Sequence, residues 1–176
     1  MRTISVTATV AALAAALLLT SCDDAGDGKN SPDTGAASGC VGDLAVRFGP
    51  ANAAPAAGDT GNVPVTVTNR GDAPCTVEGL PGVELVAGNT TAAVPAADAA
   101  SAGKATFAKG ASLAFTLTYV RGEEGGDTSL AARTATVRLP GAARTRSFKW
   151  AYGAVALKSD GRTPDASVTG FQQSTD

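Results

Sequence analysis

Apolar and polar residues alternate with a period of two through most of the middle of the chain, a pattern that predicts strands rather than helices. The longest run is Leu113, Phe115, Leu117 and Tyr119, interleaved with Ala114, Thr116 and Thr118. One face of that strand is therefore apolar and the other polar. Leu44, Val46 and Phe48 follow the same rule, as do Val63, Val65 and Val67, then Cys75 and Val77, then Val83 and Leu85. Ala135, Val137 and Leu139 predict a later strand that stops at Pro140-Gly141. Phe148, Trp150 and Tyr152 predict a last one, whose three same-face aromatics fill the core. Asn69-Arg70-Gly71-Asp72, Pro81-Gly82 and similar clusters place turns between these runs. For Asn89 to Lys109 two readings stay open: a short helix at Ala96 to Ala102, or a loop leading into a strand at Lys104 to Phe107.

About seven short strands with regular turns predict an all-β domain, an antiparallel immunoglobulin-like β-sandwich, with a small closed barrel as the competing architecture. The cysteine, tryptophan, cysteine order of antibody domains is missing, because Trp150 follows both Cys40 and Cys75. The strand-bearing stretch runs over residues 40–157 and is of single-domain size. Residues 22–39 are rich in Asp, Gly and Ser with no large apolar side chain, and predict a flexible tether with a reach of about 20 Å. Residues 158–176 show no sustained apolar period and predict a disordered tail.

The N-terminus carries a different signal. A basic start at Met1-Arg2 and an apolar run to Leu19 precede Leu19-Thr20-Ser21-Cys22, the anatomy of a bacterial lipoprotein leader over residues 1–21. The run is short of the ~20 residues that cross a bilayer, and no basic cluster follows it. Cleavage before Cys22 with lipidation of its thiol is the expectation, which places the domain on the outer face of the bacterial cytoplasmic membrane, extracellular side. With Cys22 taken by lipid, Cys40 and Cys75 remain as an even pair in an oxidising compartment, so a disulfide is expected. Aromatic residues make up only 5% of the chain, so a covalent staple supports a core of modest apolar area.

Cys40, Asp43-Leu44, Val65-Thr66-Val67-Thr68-Asn69 with Gly71 and Cys75, and then Gly79-Leu80-Pro81-Gly82-Val83 form a recognisable set. It resembles the domain of unknown function 4232 family, common in secreted and lipid-anchored actinobacterial proteins. The resemblance implies a β-sandwich with a Cys40 to Cys75 bridge. It implies no activity, since it brings no established functional residues to carry over.

Composition removes much chemistry. The chain has no histidine, which excludes Ser-His-Asp and Cys-His catalysis and His-based metal sites. Its one methionine is Met1, so the mature chain has no thioether copper ligand. There is no Cys-x-x-Cys and no Gly-rich phosphate loop, and no cofactor is expected. Four constellations remain. Glu123, Glu124 and Asp127 share a Gly-rich loop; paired carboxylates serve glycosidases or Ca²⁺, but adjacent loop residues lack a fixed separation, so a solvated loop tip is expected. Arg133, Arg138, Arg144, Arg146, Lys149 and Lys158 make the C-terminal half basic, a candidate face for anionic polymers or headgroups, although Arg138 and Lys149 alternate with apolar positions as an ordinary outer face does. Trp150 with Phe148 and Tyr152 is a candidate stacking platform whose expected role is core. Asn89-Thr90-Thr91 matches a glycosylation sequon, which the bacterial leader discounts. A net charge of −2 gives no indication of nucleic-acid binding. The expected function is a non-enzymatic surface module, membrane-held by its lipid, that binds a cell-wall polymer, surface protein or small ligand; the alternative is a carboxylate-dependent hydrolase of extracellular glycans.

Overall fold

A computed structural model describes residues 39–174. The expected leader over 1–21, the expected lipidation site Cys22 and all of the expected tether except Gly39 lie outside the described residues. Among the described residues no helix is long and apolar enough to cross a membrane.

The described chain is all β apart from a 3-10 turn at Cys40–Asp43. Its first sheet has the order β1 (Leu44–Phe48), β2 (Thr60–Asn69), β7 (Ser112–Val120), with β12 (Ala166–Val168) and β13 (Gln172–Gln173) succeeding each other along the far edge of β7. The second has the order β10 (Arg146–Lys149), β9 (Thr134–Arg138), β4 (Gly82–Ala87), β5 (Thr90–Val94). Two pairs complete it, β3 (Cys75–Gly79) with β6 (Gly103–Phe107), and β8 (Ser129–Leu130) with β11 (Val155–Ala156). Every pair of strands is antiparallel.

The predicted alternation sets the register. Val63, Val65 and Val67 of β2 face Leu117, Phe115 and Leu113 of β7 across the ladder, and all six are buried. A one-residue slip would turn them all to solvent, which is why the register is firmly specified. Pro64 sits within this central strand, where a missing N–H usually disrupts a ladder. Here its carbonyl accepts from Gly49 N–H, so its nitrogen faces the side on which β1 has just ended and the ladder to β7 stays whole. Val83 and Leu85 of β4 oppose Val137 and Ala135 of β9 to supply the second sheet's half of the core. Phe48 of β1 stacks on Phe148 of β10 with centroids 4.5 Å apart, closing one side between the sheets.

The disulfide joins Cys40 to Cys75, with Cα atoms 5.6 Å apart, and ties the 3-10 turn to β3. Of the two readings for residues 96–102 the loop is the one observed, and it leads into β6 at Gly103. Three expectations are corrected. The stretch after 158 is part of the domain: Ala166 and Val168 are buried, β12 and β13 pair with β7, and Phe171 sits edge-on to Phe115 at 5.7 Å. Two- and three-residue strands are too short to show a period, and what recruits them is the unpaired edge of a nine-residue strand. The last predicted strand stops at Lys149; Trp150 is buried, whereas Phe148 and Tyr152 are only half-buried. Thr90–Val94 forms a strand that the sequence reading passed over, its inward side chains being Ala92 and Val94.

Candidate functional site

The ten residues of β2 run about 30 Å from Thr60 to Asn69 and define two ends of the sandwich. The chain enters at the Asn69 end, where Leu44 pairs with Asn69 and the disulfide holds the turn before β1. Asn69 is fully buried; its Nδ2 donates to Ala73 O at 2.8 Å and Phe107 O at 3.3 Å, and its Oδ1 accepts from Gly71 N–H at 2.9 Å. One amide side chain thus fastens the β2–β3 turn to the strand beside it, in an environment where an unmet polar group is costly.

At this end a cleft of about 510 Å³ lies between the 3-10 turn and the loop after β9, with Val41, Leu139 and Ala142 as apolar walls and Arg144 and Arg146 at its border. Gly39, where the described chain begins, lines it too. Arg146 is held in place: Nη2 donates to Leu44 O at 2.9 Å and Gly42 O at 3.3 Å. Among the described residues the one ion pair is Lys109 with Asp72, so neither arginine has a carboxylate partner there.

The opposite end is built around Tyr119, whose ring lies over the bare Cα of its cross-strand partner Gly61. Its hydroxyl accepts from Ala54 N–H at 3.2 Å and donates to Tyr152 O at 3.3 Å. Trp150 meets it edge-on at 5.1 Å and donates Nε1–H to Gly153 O at 2.7 Å. The indole is therefore a core piece with a satisfied N–H, and it borders the surface only as the wall of a hollow of about 220 Å³ that Glu124, Arg133, Lys149 and Gly153 also line. Burial and the neighbouring Tyr119 raise the Tyr152 phenol above its ordinary value.

The acidic loop lies at this end, but its carboxylates have separate roles. All three side chains are exposed; Glu124 Oε1 accepts from Ala154 N–H at 3.0 Å, bracing the turn that follows Trp150. Among the described residues no group of three or more His, Cys, Asp or Glu side chains is placed to hold a metal ion. The six basic residues do not form one face. Arg144 and Arg146 flank the entry cleft, Arg133 and Lys149 line the far hollow, Arg138 borders a third depression beside Glu84, and Lys158 borders a fourth beside Asp165. Asn89 of the sequon is exposed in the β4–β5 turn.

Residues 40–172 match the family described as Domain of unknown function (DUF4232). The chain belongs to the DUF4232 family. No curated protein and no solved structure matches the chain. The DUF4232 match extends through β12, in keeping with a C-terminal segment that belongs to the sandwich. The structure also explains the residues that carry the DUF4232 resemblance. Asn69 is the buried fastener, and a Cβ at Gly71 would lie 3.2 Å from Asn69 Oδ1. Gly79 ends β3 at φ 117°, a left-handed conformation that a side chain would strain. These motif residues build the entry end of the fold. Sequence reasoning did not single out Gly61 or Arg121, whose Nη1 donates to Ala54 O at 3.0 Å and Pro55 O at 3.2 Å; only the folded contacts reveal them.

Proposed function

We propose that this DUF4232 chain is a lipid-anchored, non-enzymatic module on the outer face of the bacterial cytoplasmic membrane. It displays its far end to a wall polymer or surface protein. The observation that carries the reading is the opposition of the two ends. The chain arrives from Cys22 at the Gly39–Cys40 side, while the hollow with Arg133, Lys149 and Trp150 lies at the Gly61 side, with β10 leading from Arg146 at the entry cleft to Lys149 at that hollow. An anchored domain arranged this way turns its far-end loops outward, where loops on rigid scaffolds commonly bind. The leader and the oxidised Cys40–Cys75 pair support an exported location. The hydrolase alternative draws less support, because Glu124 is engaged with a backbone N–H rather than facing a second carboxylate across a cleft.

The test is fractionation and surface proteolysis of intact cells. The native chain is expected in the membrane fraction and open to external protease, and Cys22→Ser is expected to be released or left uncleaved. Membrane retention of Cys22→Ser with normal processing would overturn the anchor. For the binding role, envelope material captured by the native domain is expected to be lost with Arg133→Glu/Lys149→Glu, and equal capture by that variant would refute the far-end site.

A further inference from the structure

We infer that the cleft at the entry end binds the phosphate headgroup of an anionic glycerophospholipid, so that the domain docks onto the membrane that holds its anchor. The inference rests on the anchor reading for its geometry and on the cleft for its chemistry. The cleft has the volume of a small-ligand site, about 510 Å³. Its walls are apolar at Val41, Leu139 and Ala142, as a glycerol backbone and first acyl carbons require. Two guanidinium groups border it, and a planar fork of donors suits phosphate better than a point charge does. Arg146 is already held by two backbone carbonyls, so it needs little further ordering to meet a ligand. Neither arginine is neutralised by a carboxylate among the described residues.

Position supplies the other half of the inference. Gly39 lines the cleft and is the seventeenth residue after Cys22. Even a fully extended chain of that length spans at most about 60 Å. With Cys22 at the membrane surface, the cleft is kept at high effective concentration over headgroups, so weak affinity for one phosphate suffices. Docking there points the Gly61 end outward. Lys158 serves as an internal control, because it borders the depression beside Thr118 and Asp165, near the Thr60 end of β2.

The experiment uses an acyl-free chain from position 22 onward carrying Cys22→Ser, which retains the compact unit Asp33–Asp176 and so the whole core. Thermal melts check its fold. It is sedimented with vesicles of phosphatidylcholine alone or of phosphatidylcholine with phosphatidylglycerol. Binding is expected only with phosphatidylglycerol, falling as salt rises. Arg144→Gln, a change at an exposed residue, is expected to weaken it about fivefold, and Lys158→Gln to leave it unchanged. Equal binding to both vesicle types, or equal losses in the two variants, would overturn the proposal. So would binding of soluble glycerol phosphate without binding to vesicles, which would assign the cleft to a wall polymer. Vesicle binding that appears only after removal of Asp23, Asp24, Asp27 and Asp33 would assign it to the chain's own acidic segment. Because this chain carries no acyl group, its result is independent of whether Cys22 is lipidated, which mass spectrometry reads separately.

Discussion

Gly61→Ala is a one-carbon change that tests how the far end is built. An added Cβ would meet Tyr119 Cε1 in a clash and lie 2.6 Å from Cζ and 2.8 Å from the hydroxyl oxygen. The ring has little room to yield, since it is fully buried with Trp150 at 5.1 Å and Tyr152 at 6.3 Å. Overpacking of this kind costs about 1–3 kcal/mol. Moving the hydroxyl weakens its bonds to Ala54 N–H and Tyr152 O, at about 1 kcal/mol for one of them. Set against this is the gain of about 0.4–1 kcal/mol that Gly→Ala normally brings through the unfolded chain. The net loss is therefore about 1–3.5 kcal/mol, or roughly a 5–10 °C fall in Tm for a domain of this size. Urea unfolding followed by Trp150 fluorescence measures the loss at the residue that shares the cluster. Gly103→Ala is the control, because nothing lies within 4 Å of its added Cβ, and it should be neutral or slightly stabilising. If the two variants melt alike, the packing of Tyr119 over Gly61 is refuted. A Gly61→Ala/Tyr119→Leu double variant should lose less than the sum of the single changes, and strict additivity would count against the contact.

Further expectations concern the entry end and the C-terminal segment. Cys75→Ser removes the bridge to Cys40 across a sequence separation of 35 and should cost ~4 kcal/mol in the chain-entropy description; identical melts of oxidised and reduced protein would contradict it. Asn69→Ala removes three hydrogen bonds from a fully buried position and should cost about 2–4 kcal/mol in urea unfolding, whereas a loss below 1 kcal/mol would show that the turn holds without it. Asp160 is held at about 2, first by the hydroxyl of Thr163 and then by the backbone N–H groups of Thr163 and Arg162. Its folded value is below its ordinary one, so its contribution to stability is present above about pH 4 and fades as pH falls toward 2. Carboxyl NMR should show a lowered midpoint that returns toward the ordinary range in Thr163→Ala, and an unshifted midpoint in the native chain would refute the turn geometry.

Much of the fold was legible because strongly apolar period-two runs leave one register open. Leu113 to Tyr119 and Val63 to Val67 are the central ladder, and cysteine counting found the bridge. Legibility failed where packing, rather than pattern, decides. β5 offers only Ala92 and Val94 to the core, and β12 only Ala166 and Val168, so neither carries a signal apart from the neighbouring strand that recruits it. The basic residues looked like one feature in the chain and line separate hollows in space, because β10 begins at Arg146 beside the entry cleft and ends at Lys149 beside the hollow that Arg133 also lines. The entry cleft is formed by residues about a hundred positions apart, Val41 with Leu139 and Arg144, and no local spacing encodes that meeting.

The most direct test of membrane display is the intact mass of the N-terminal peptide from the native, membrane-extracted protein. The expected result is a chain beginning at Cys22 whose mass includes a diacylglyceryl group on the sulfur. A retained leader, or Cys22 with an unmodified thiol, would contradict it.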